Sequence, residues 1–162
     1  MGPYVGRLPK HSIQGPRVPT LSEITSDFAV LDDWEDRYRY LIELGRALPP
    51  LPEEQRTDAN KVRGCASQVW LATDSKTVDG KRVFTFVADS DAHIVRGLVA
   101  ILHAVYEGRP LEEAITLDPD PIFAKFGLKE HLTPQRSNGL ASMVARVRAD
   151  AMAMNAQNAS AG

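Results

Sequence analysis

The sequence has 162 residues, of which 43% are hydrophobic and 25% charged, and its formal net charge is −2 at pH 7. This composition is typical of one globular domain and excludes collagen-like, coiled-coil and fully disordered chains. Because basic residues are not in excess, we do not expect nucleic acid as a partner. No apolar stretch approaches the ~20 residues that span a bilayer, and the N-terminus lacks the pattern of a secretory signal, so we expect a cytoplasmic protein without a membrane partner.

The sequence contains a single cysteine, Cys65. One thiol excludes an intramolecular disulfide, a Cys-x-x-Cys redox pair, and iron–sulfur or zinc sites held mainly by thiolates. Closely spaced metal ligands and glycine-rich nucleotide-binding motifs are also missing from the sequence, so we expect neither a bound metal nor a cofactor. Any sulfur chemistry must therefore use Cys65.

The first predicted elements are an arm and two helices. Proline and glycine are frequent in residues 1–19, which we predict to be a flexible arm. Thr20 and Glu23 have the spacing of a capping box, so the domain is expected to begin at Thr20 with a short helix. Asp32 or Asp33 is predicted to cap a second helix, which ends before a proline-rich stretch. The apolar residues of the second helix recur at helical spacing and should face a core: Trp34, Tyr38, Leu41 and Leu44.

After a charged linker, the spacing of the apolar residues changes from the helical repeat to the alternation that is typical of β-strands. We predict three strands in a small antiparallel meander, at residues 61–63, 68–78 and 81–88. Asp79 and Gly80, between the last two strands, are typical of a two-residue hairpin loop with positive φ angles. Because apolar residues occupy both faces of the last strand, we expect helices to pack on the sheet.

The sequence after the sheet is predicted to be helical. Asp89 or Ser90 is expected to cap a long amphipathic helix that ends at Gly108. A short helix is predicted at residues 111–115, and Asp120, which is followed by proline, is expected to cap another.

The last predicted helix follows a loop at residues 133–139. Residues 153–162 are predicted to form a disordered tail. The sequence shows no internal repeat and no second domain. We therefore predict one α+β domain at residues 20–152, in which a small sheet packs against helices.

Cys65 is the first candidate for chemistry. Gly64 precedes it and small residues follow it, which predicts an approachable thiol at a turn between two strands. In an extended chain, Lys61 and Arg63 lie on the same side as Cys65, and their positive charges would favour the thiolate, the nucleophile in sulfur exchange. Free cysteines are more often buried as small hydrophobic groups, so a binding module in which Cys65 only packs is an alternative.

The histidines leave a third function open, that of a cysteine-dependent enzyme with its own small-molecule substrate. Such an enzyme would need a histidine beside Cys65. We expect His93 and His103 instead to be solvated or to cap a helix. The four histidines are His11, His93, His103 and His131. We assign the aromatic residues of the predicted strands to the sheet core: Trp70, Phe84 and Phe86.

Several segments of the sequence resemble the SufE/CsdE family of sulfur-acceptor proteins. The resemblance is collinear from about Leu21 to Asp150, and motifs in the family's order are far more specific than any one motif alone. The segments are WEDRY at 34–38, IELG at 42–45, GCASQVWL at 64–71, DSDAHIVRGL at 89–98 and LTPQRSNGL at 132–140. The resemblance implies a small α+β fold of the kind shared with U-type iron–sulfur scaffold proteins.

The resemblance also implies a partner and a reaction. The partner is a pyridoxal-phosphate cysteine desulfurase of the SufS/CsdA type, which holds sulfur as a persulfide, and Cys65 aligns with the family's acceptor thiol. Cys65 would take this sulfur, stimulate the desulfurase and pass the sulfur to an iron–sulfur scaffold complex of the SufBCD type. The protein would then be a sulfur-transfer accessory without a cofactor, not an enzyme. Homodimer formation is left open.

Four further residues are implied to support the acceptor loop or to dock the partner. Arg136 matches an arginine that the family carries before the last helix, and Gly64, Gln68 and Asp91 lie within the matching segments. In this family the loop can tuck its cysteine against apolar surface when the protein is free and expose it when the partner docks.

Overall fold

The computed structural model describes residues 17–161, and side-chain positions as far as residue 157. Most of the arm predicted at residues 1–19 therefore lies outside the described residues. Its last residues belong to the fold: Arg17 donates hydrogen bonds to the carboxylate of Glu23 at 3.0 and 3.2 Å, and Val18 packs against the core. Arg17 and Val18 thus contact the domain that was predicted to begin at Thr20.

Two helices open the fold, α1 at Leu21–Val30 and α2 at Trp34–Arg46. The predicted capping box is present: the Thr20 hydroxyl accepts a hydrogen bond from the Glu23 amide at 3.2 Å, and the Glu23 carboxylate accepts one from the Thr20 amide at 2.9 Å. Asp33 caps α2 through a hydrogen bond from an amide of the first turn. Local sequence alone therefore determines where both helices begin.

The sheet is an antiparallel hairpin of β1, Val69–Val78, and β2, Lys81–Ser90. Its turn has positive φ angles of 52° at Asp79 and 79° at Gly80, as predicted. Phe84 and Phe86 of β2 lie in the core, also as predicted. Trp70 differs from the prediction because it is only partly buried.

The prediction of a third strand at residues 61–63 is wrong. This segment forms a single bridge with β1, from Lys61 to Trp70, flanked by two backbone hydrogen bonds. Gly64 then adopts a φ of 87°, which turns the chain away from β1 before the pairing can extend. Within the described residues the sheet has two strands, and the α+β class holds.

The long helix α3, His93–Tyr106, packs on β2 and α2. The prediction that Asp89 or Ser90 caps this helix is wrong, since the residue before it is Ala92, which provides no side-chain cap. Asp89 instead forms ion pairs with arginines, and the Ser90 hydroxyl accepts a hydrogen bond from the Ala92 amide.

The remaining helices are α4 at Leu111–Thr116, α5 at Asp120–Lys125, α6 at Leu128–His131 and α7 at Pro134–Ala161. A 3-10 turn at Glu53–Gln55 lies in the linker before the sheet. Asp120 is the first residue of α5 and not its cap, because Asp118 accepts the hydrogen bond from the Asp120 amide.

Helix α7 begins earlier and ends later than predicted. Residues 133–139 are not a loop, because the Thr133 hydroxyl caps the helix by accepting a hydrogen bond from the Arg136 amide at 3.2 Å, and proline follows the cap. Residues 153–161, predicted as a disordered tail, continue the helix. Their many alanines favour helix, and Met154 still packs against the core.

None of the described helices has both the length and the apolar content to cross a membrane. Location in the cytoplasm stays a prediction.

The core lies between the hairpin and the helices, with these side chains fully buried: Tyr40, Leu41, Leu44, Leu71, Phe84, Leu98, Ile101 and Phe123.

Candidate functional site

Cys65 lies in the loop that runs from the Lys61 bridge to the start of β1, and its side chain is partly buried. The residue before it, Gly64, has a φ of 87°, a conformation that side chains rarely adopt. A Cβ at Gly64 would also lie 2.5 Å from the hydroxyl oxygen of Ser142 on α7. Glycine at this position therefore permits both the turn and the close approach of the loop to α7.

The sulfur of Cys65 rests on α7. Its Sγ lies 3.6 Å from the carbonyl oxygen of Gly139, to which the thiol donates a weak hydrogen bond. Gly139 has no side chain to separate the two, and a Cβ there would lie 3.6 Å from Sγ. The contact between the loop and α7 therefore depends on two glycines, Gly64 in the loop and Gly139 in α7.

The site holds Cys65 as a neutral thiol. Burial raises the pKa of Cys65, and a hydrogen bond to a carbonyl oxygen also favours the protonated form. The expectation that Lys61 and Arg63 would favour the thiolate is wrong for this conformation, because the shift in pKa has the opposite direction. In this conformation the sulfur is therefore a weak nucleophile at neutral pH.

A cavity of about 200 Å³ opens beside Cys65. Liquid water occupies about 30 Å³ per molecule, so the cavity has room for several atoms next to the sulfur. Arg136, in the first turn of α7, lies on its wall together with both polar and apolar residues. Besides Cys65 and Arg136, the cavity is lined by Ala66, Ser67, Val95, Thr133, Gln135, Gly139 and Met143.

The loop is fastened at its far end to the start of α3. The Asp91 carboxylate accepts a hydrogen bond from the Gln68 amide at 3.0 Å, and the Asp91 amide donates one to the Gln68 carbonyl at 3.2 Å. Both bonds use the backbone of Gln68, so the structure gives its side chain no role in them. The four residues that the sequence implied around the loop, Gly64, Gln68, Asp91 and Arg136, are brought together with Cys65.

The histidines do not join this site. His103 packs beside the Phe86 ring and lies 3.6 Å from the Glu107 carboxylate, and burial lowers its pKa, so the expected solvated role is wrong for His103. His131 stacks on Trp34 with the ring centroids 3.7 Å apart. No histidine of the described residues lines the cavity beside Cys65, and His11 lies outside those residues.

A metal centre is also not formed by the part of the chain that the structure describes, where no three His, Cys, Asp or Glu side chains are grouped to hold an ion.

The sequence analysis did not identify Gly139 and Ser142 as residues that contact the Cys65 loop. They lie three residues apart and so share a helix face. Because residues 133–139 were predicted to form a loop, this shared face was not recognised. The Thr-Pro pair at the start of α7 was the signal that could have revealed it.

Comparison with known proteins identifies the group to which these features belong. Residues 22–151 match the family model described as SufE, Fe-S metabolism associated domain. A SufE-like protein of Rhizobium etli is 59% identical over 132 residues, which cover 82% of this chain and 89% of the relative. A SufE-like protein of Rhizobium meliloti is 54% identical over 132 residues, which cover 82% of this chain and 94% of that protein.

The fold is similar to the solution structure of a hypothetical protein from Thermus thermophilus. The TM-score is 0.61 at 25% sequence identity, and the match covers 84% of this chain and 96% of the other. The likeness thus extends over nearly the whole of that protein.

Proposed function

Because this chain belongs to the SufE family, whose domain is associated with Fe–S metabolism, we propose that it accepts persulfide sulfur on Cys65 from a pyridoxal-phosphate cysteine desulfurase. The proposal rests on one observation: a single thiol lies on a glycine-hinged loop, beside a cavity with room for a second sulfur atom. In this role the protein stimulates the desulfurase, passes the sulfur to an iron–sulfur scaffold complex of the SufBCD type, and turns over no substrate of its own.

The transfer is a thiol–persulfide exchange. The Cys65 thiolate attacks the outer sulfur of the persulfide on the desulfurase cysteine, so that a new S–S bond forms on Cys65 as the old one breaks. The desulfurase thiolate leaves with the electron pair and takes up a proton equivalent to the one that Cys65 lost. The exchange needs no external oxidant or reductant.

The described conformation suits the protein at rest. Its partly buried thiol should react slowly, and the contacts with Gly139 and Ser142 must break before the sulfur can reach a partner. In water an unperturbed thiol has a pKa of about 8.5, so lifting the loop increases the thiolate fraction. Docking of the desulfurase would therefore activate Cys65 by exposing it.

The single cysteine also favours a carrier. A second thiol nearby would attack the Cys65 persulfide, release sulfide and leave a disulfide. Since the sequence has no other cysteine, this intramolecular loss cannot occur. After transfer, the cavity beside Cys65 would shelter the outer sulfur from solvent.

Mass spectrometry after incubation with a desulfurase and free cysteine tests the proposal. We expect the mass to rise by one sulfur atom, with the extra mass on the peptide that contains Cys65, and to return to its original value after treatment with a thiol reductant. Cys65→Ser should show neither the added sulfur nor stimulation of the desulfurase. Retention of both by Cys65→Ser would contradict the proposal.

The two alternatives predict different results. A cysteine-dependent enzyme would turn over a small molecule without a desulfurase, but no described histidine lines the cavity to act as its base. A binding module would bind its partner fully as Cys65→Ser and would never gain sulfur. The geometry therefore argues against the enzyme, and the gain of sulfur on Cys65, absent from Cys65→Ser, separates the acceptor from the binding module.

A further inference from the structure

A second cavity, of about 180 Å³, lies where the end of α2, the linker after it and the end of β2 meet. Cys65 does not line it. Its charged lining consists of Arg46, Arg56, Arg96 and Asp89, and Gly45 and residues 48–51 form the rest of the wall. Three arginines and one aspartate thus line the same cavity, on a chain whose net charge is −2.

Arg56 is held in place from two directions. Its guanidinium lies 5.0 Å from the centre of the Trp70 ring and forms an ion pair with Asp89. Glu53 also pairs with Arg56 at 3.3 Å, but the Glu53 side chain is 88% exposed, so water screens this pair. Stacking on Trp70 leaves the edge of the guanidinium, which carries its N–H donors, available for other acceptors.

Arg96 is held equally firmly. Its Nε lies 2.8 Å from the Asp89 carboxylate, and its Nη2 donates a hydrogen bond to the Ser90 carbonyl at 3.1 Å. A Cβ at Gly45 would lie 2.9 Å from Cγ of Arg96. Glycine at position 45 therefore leaves the space through which Arg96 crosses α2 into the cavity.

The charges of the lining do not cancel. Asp89 neutralises one of the three guanidiniums, and Arg46 forms no ion pair within 4.0 Å among the described residues. The four charged residues of the lining therefore carry a formal charge of +2, which the nearby carboxylates of Glu53 and Glu43 and the C-terminal end of α2, with about −0.5 charge, reduce. The attraction for an anion therefore comes from the N–H donors of three neighbouring guanidiniums and not from a large net charge.

We propose that this cavity binds a small oxyanion, a carboxylate or a phosphate group, through Arg46, Arg56 and Arg96. Each guanidinium presents up to five N–H donors in a planar fork that matches either group, and Asp89 holds two of the forks in place. The volume equals that of about six water molecules, enough for such a group. The oxyanion is either free in solution or carried by an acidic side chain of a partner protein.

Titration of the full-length protein with inorganic phosphate, followed by NMR at constant ionic strength and pH, tests the proposal. The Nε–H signals of Arg56 and Arg96 and the indole N–H signal of Trp70 should shift and saturate. The Trp34 indole provides an internal control, because it stacks on His131 and does not line this cavity. Signals that shift without saturating, or a Trp34 signal that shifts as much as that of Trp70, would overturn the proposal.

Two charge variants make the test specific. Arg46→Gln removes one exposed guanidinium without breaking an ion pair, and it should weaken phosphate binding about tenfold, which corresponds to ~1.4 kcal/mol. Arg82→Gln changes the net charge equally, but Arg82 lies near the hairpin tip, about 23 Å along β2 from Asp89. It should leave binding unchanged. Equal affinities of both variants and the wild type would contradict the site.

A second titration distinguishes a phosphate group from the carboxylate of a partner's acidic side chain. Tighter binding of phosphate than of N-acetylglutamate amide would indicate a phosphoryl ligand, and the reverse would indicate an acidic side chain. Cys65→Ser should bind phosphate as the wild type does. The anion site and the sulfur-acceptor proposal can therefore fail independently.

Discussion

Between the Lys61 bridge and β1, the Cys65 loop is held at two places by different forces: its first end is Gly64–Cys65 and its second end is Gln68. At the first end, Gly64 and Cys65 lie on α7 through van der Waals contact and one weak hydrogen bond from sulfur. At the other end, two hydrogen bonds of ordinary length join Gln68 to Asp91. We therefore expect the first end to leave α7 more readily, while the second end and the Lys61 bridge keep the loop attached to the domain.

Substitution of Gly64, where the loop turns, should have the largest effect. Gly64→Ala places a side chain in a left-handed conformation, which costs about 1–2 kcal/mol, and its methyl group would press on Ser142. The first end should then leave α7. We expect Cys65 to react with iodoacetamide about ten times faster than in the wild type, as measured by mass spectrometry over time.

Gly80→Ala is the matched control. Gly80 has a similar φ of 79°, but nothing lies within 4 Å of a Cβ there, so the same backbone strain arises far from the loop. Its alkylation rate should equal that of the wild type. If the two glycine variants react equally fast, the first end is not held by its contact with α7.

Loss of the hydrogen bond that anchors Gln68 to Asp91 should have a smaller effect. Asp91→Ala removes the acceptor for the Gln68 amide, and a hydrogen bond of this kind contributes about 1 kcal/mol. Hydrogen exchange at the Gln68 amide should become about five times faster. Asp91→Asn keeps an acceptor oxygen and should exchange almost as slowly as the wild type, and equal rates in all three proteins would show that the anchor is not formed.

The pH dependence of stability should show a further, smaller effect. Because the pKa of Cys65 is raised in the folded state, the buried thiol contributes stability that is complete below the unfolded pKa of about 8.5. This contribution is lost as the pH rises through the folded pKa. The free energy of unfolding should therefore fall with pH relative to that of Cys65→Ser, as measured by urea denaturation. Parallel pH profiles would contradict burial of the thiol.

The smallest effect is expected at Gln68 itself. Both of its hydrogen bonds use backbone atoms, so Gln68→Ala should change the free energy of unfolding by less than about 0.5 kcal/mol. Exchange of the amide at position 68 should also stay slow. A large loss of stability in urea would mean that the Gln68 side chain, and not its backbone, holds this end of the loop.

Much of the fold could be predicted from local sequence. The capping box at Thr20, the Asp33 cap and the Asp79–Gly80 turn are all present, because each depends on residues within one turn of chain. The predictions failed where a single residue changed the direction of the chain or began an element early. Gly64 limits the predicted third strand to a single bridge, and Thr133 begins α7 where a loop was expected.

The candidate site could be predicted only in part. Segments resembling the SufE family identified Cys65 and the residues around it. The buried state of its thiol depends on Gly139, which lies 74 residues away in sequence and contacts Cys65 only in the folded domain. The charges of Lys61 and Arg63 therefore suggested an activated thiol, whereas packing against α7 gives a protected one.

The distance along the chain between Cys65 and Gly139 also matters during synthesis. Helix α7 follows the Cys65 loop in the chain, and the 74 residues that separate Cys65 from Gly139 take about 4–15 s to translate at typical rates. Until then the thiol lacks the residues of α7 that pack against it. A newly made chain thus passes through a period in which Cys65 is more reactive, and this period ends when α7 docks.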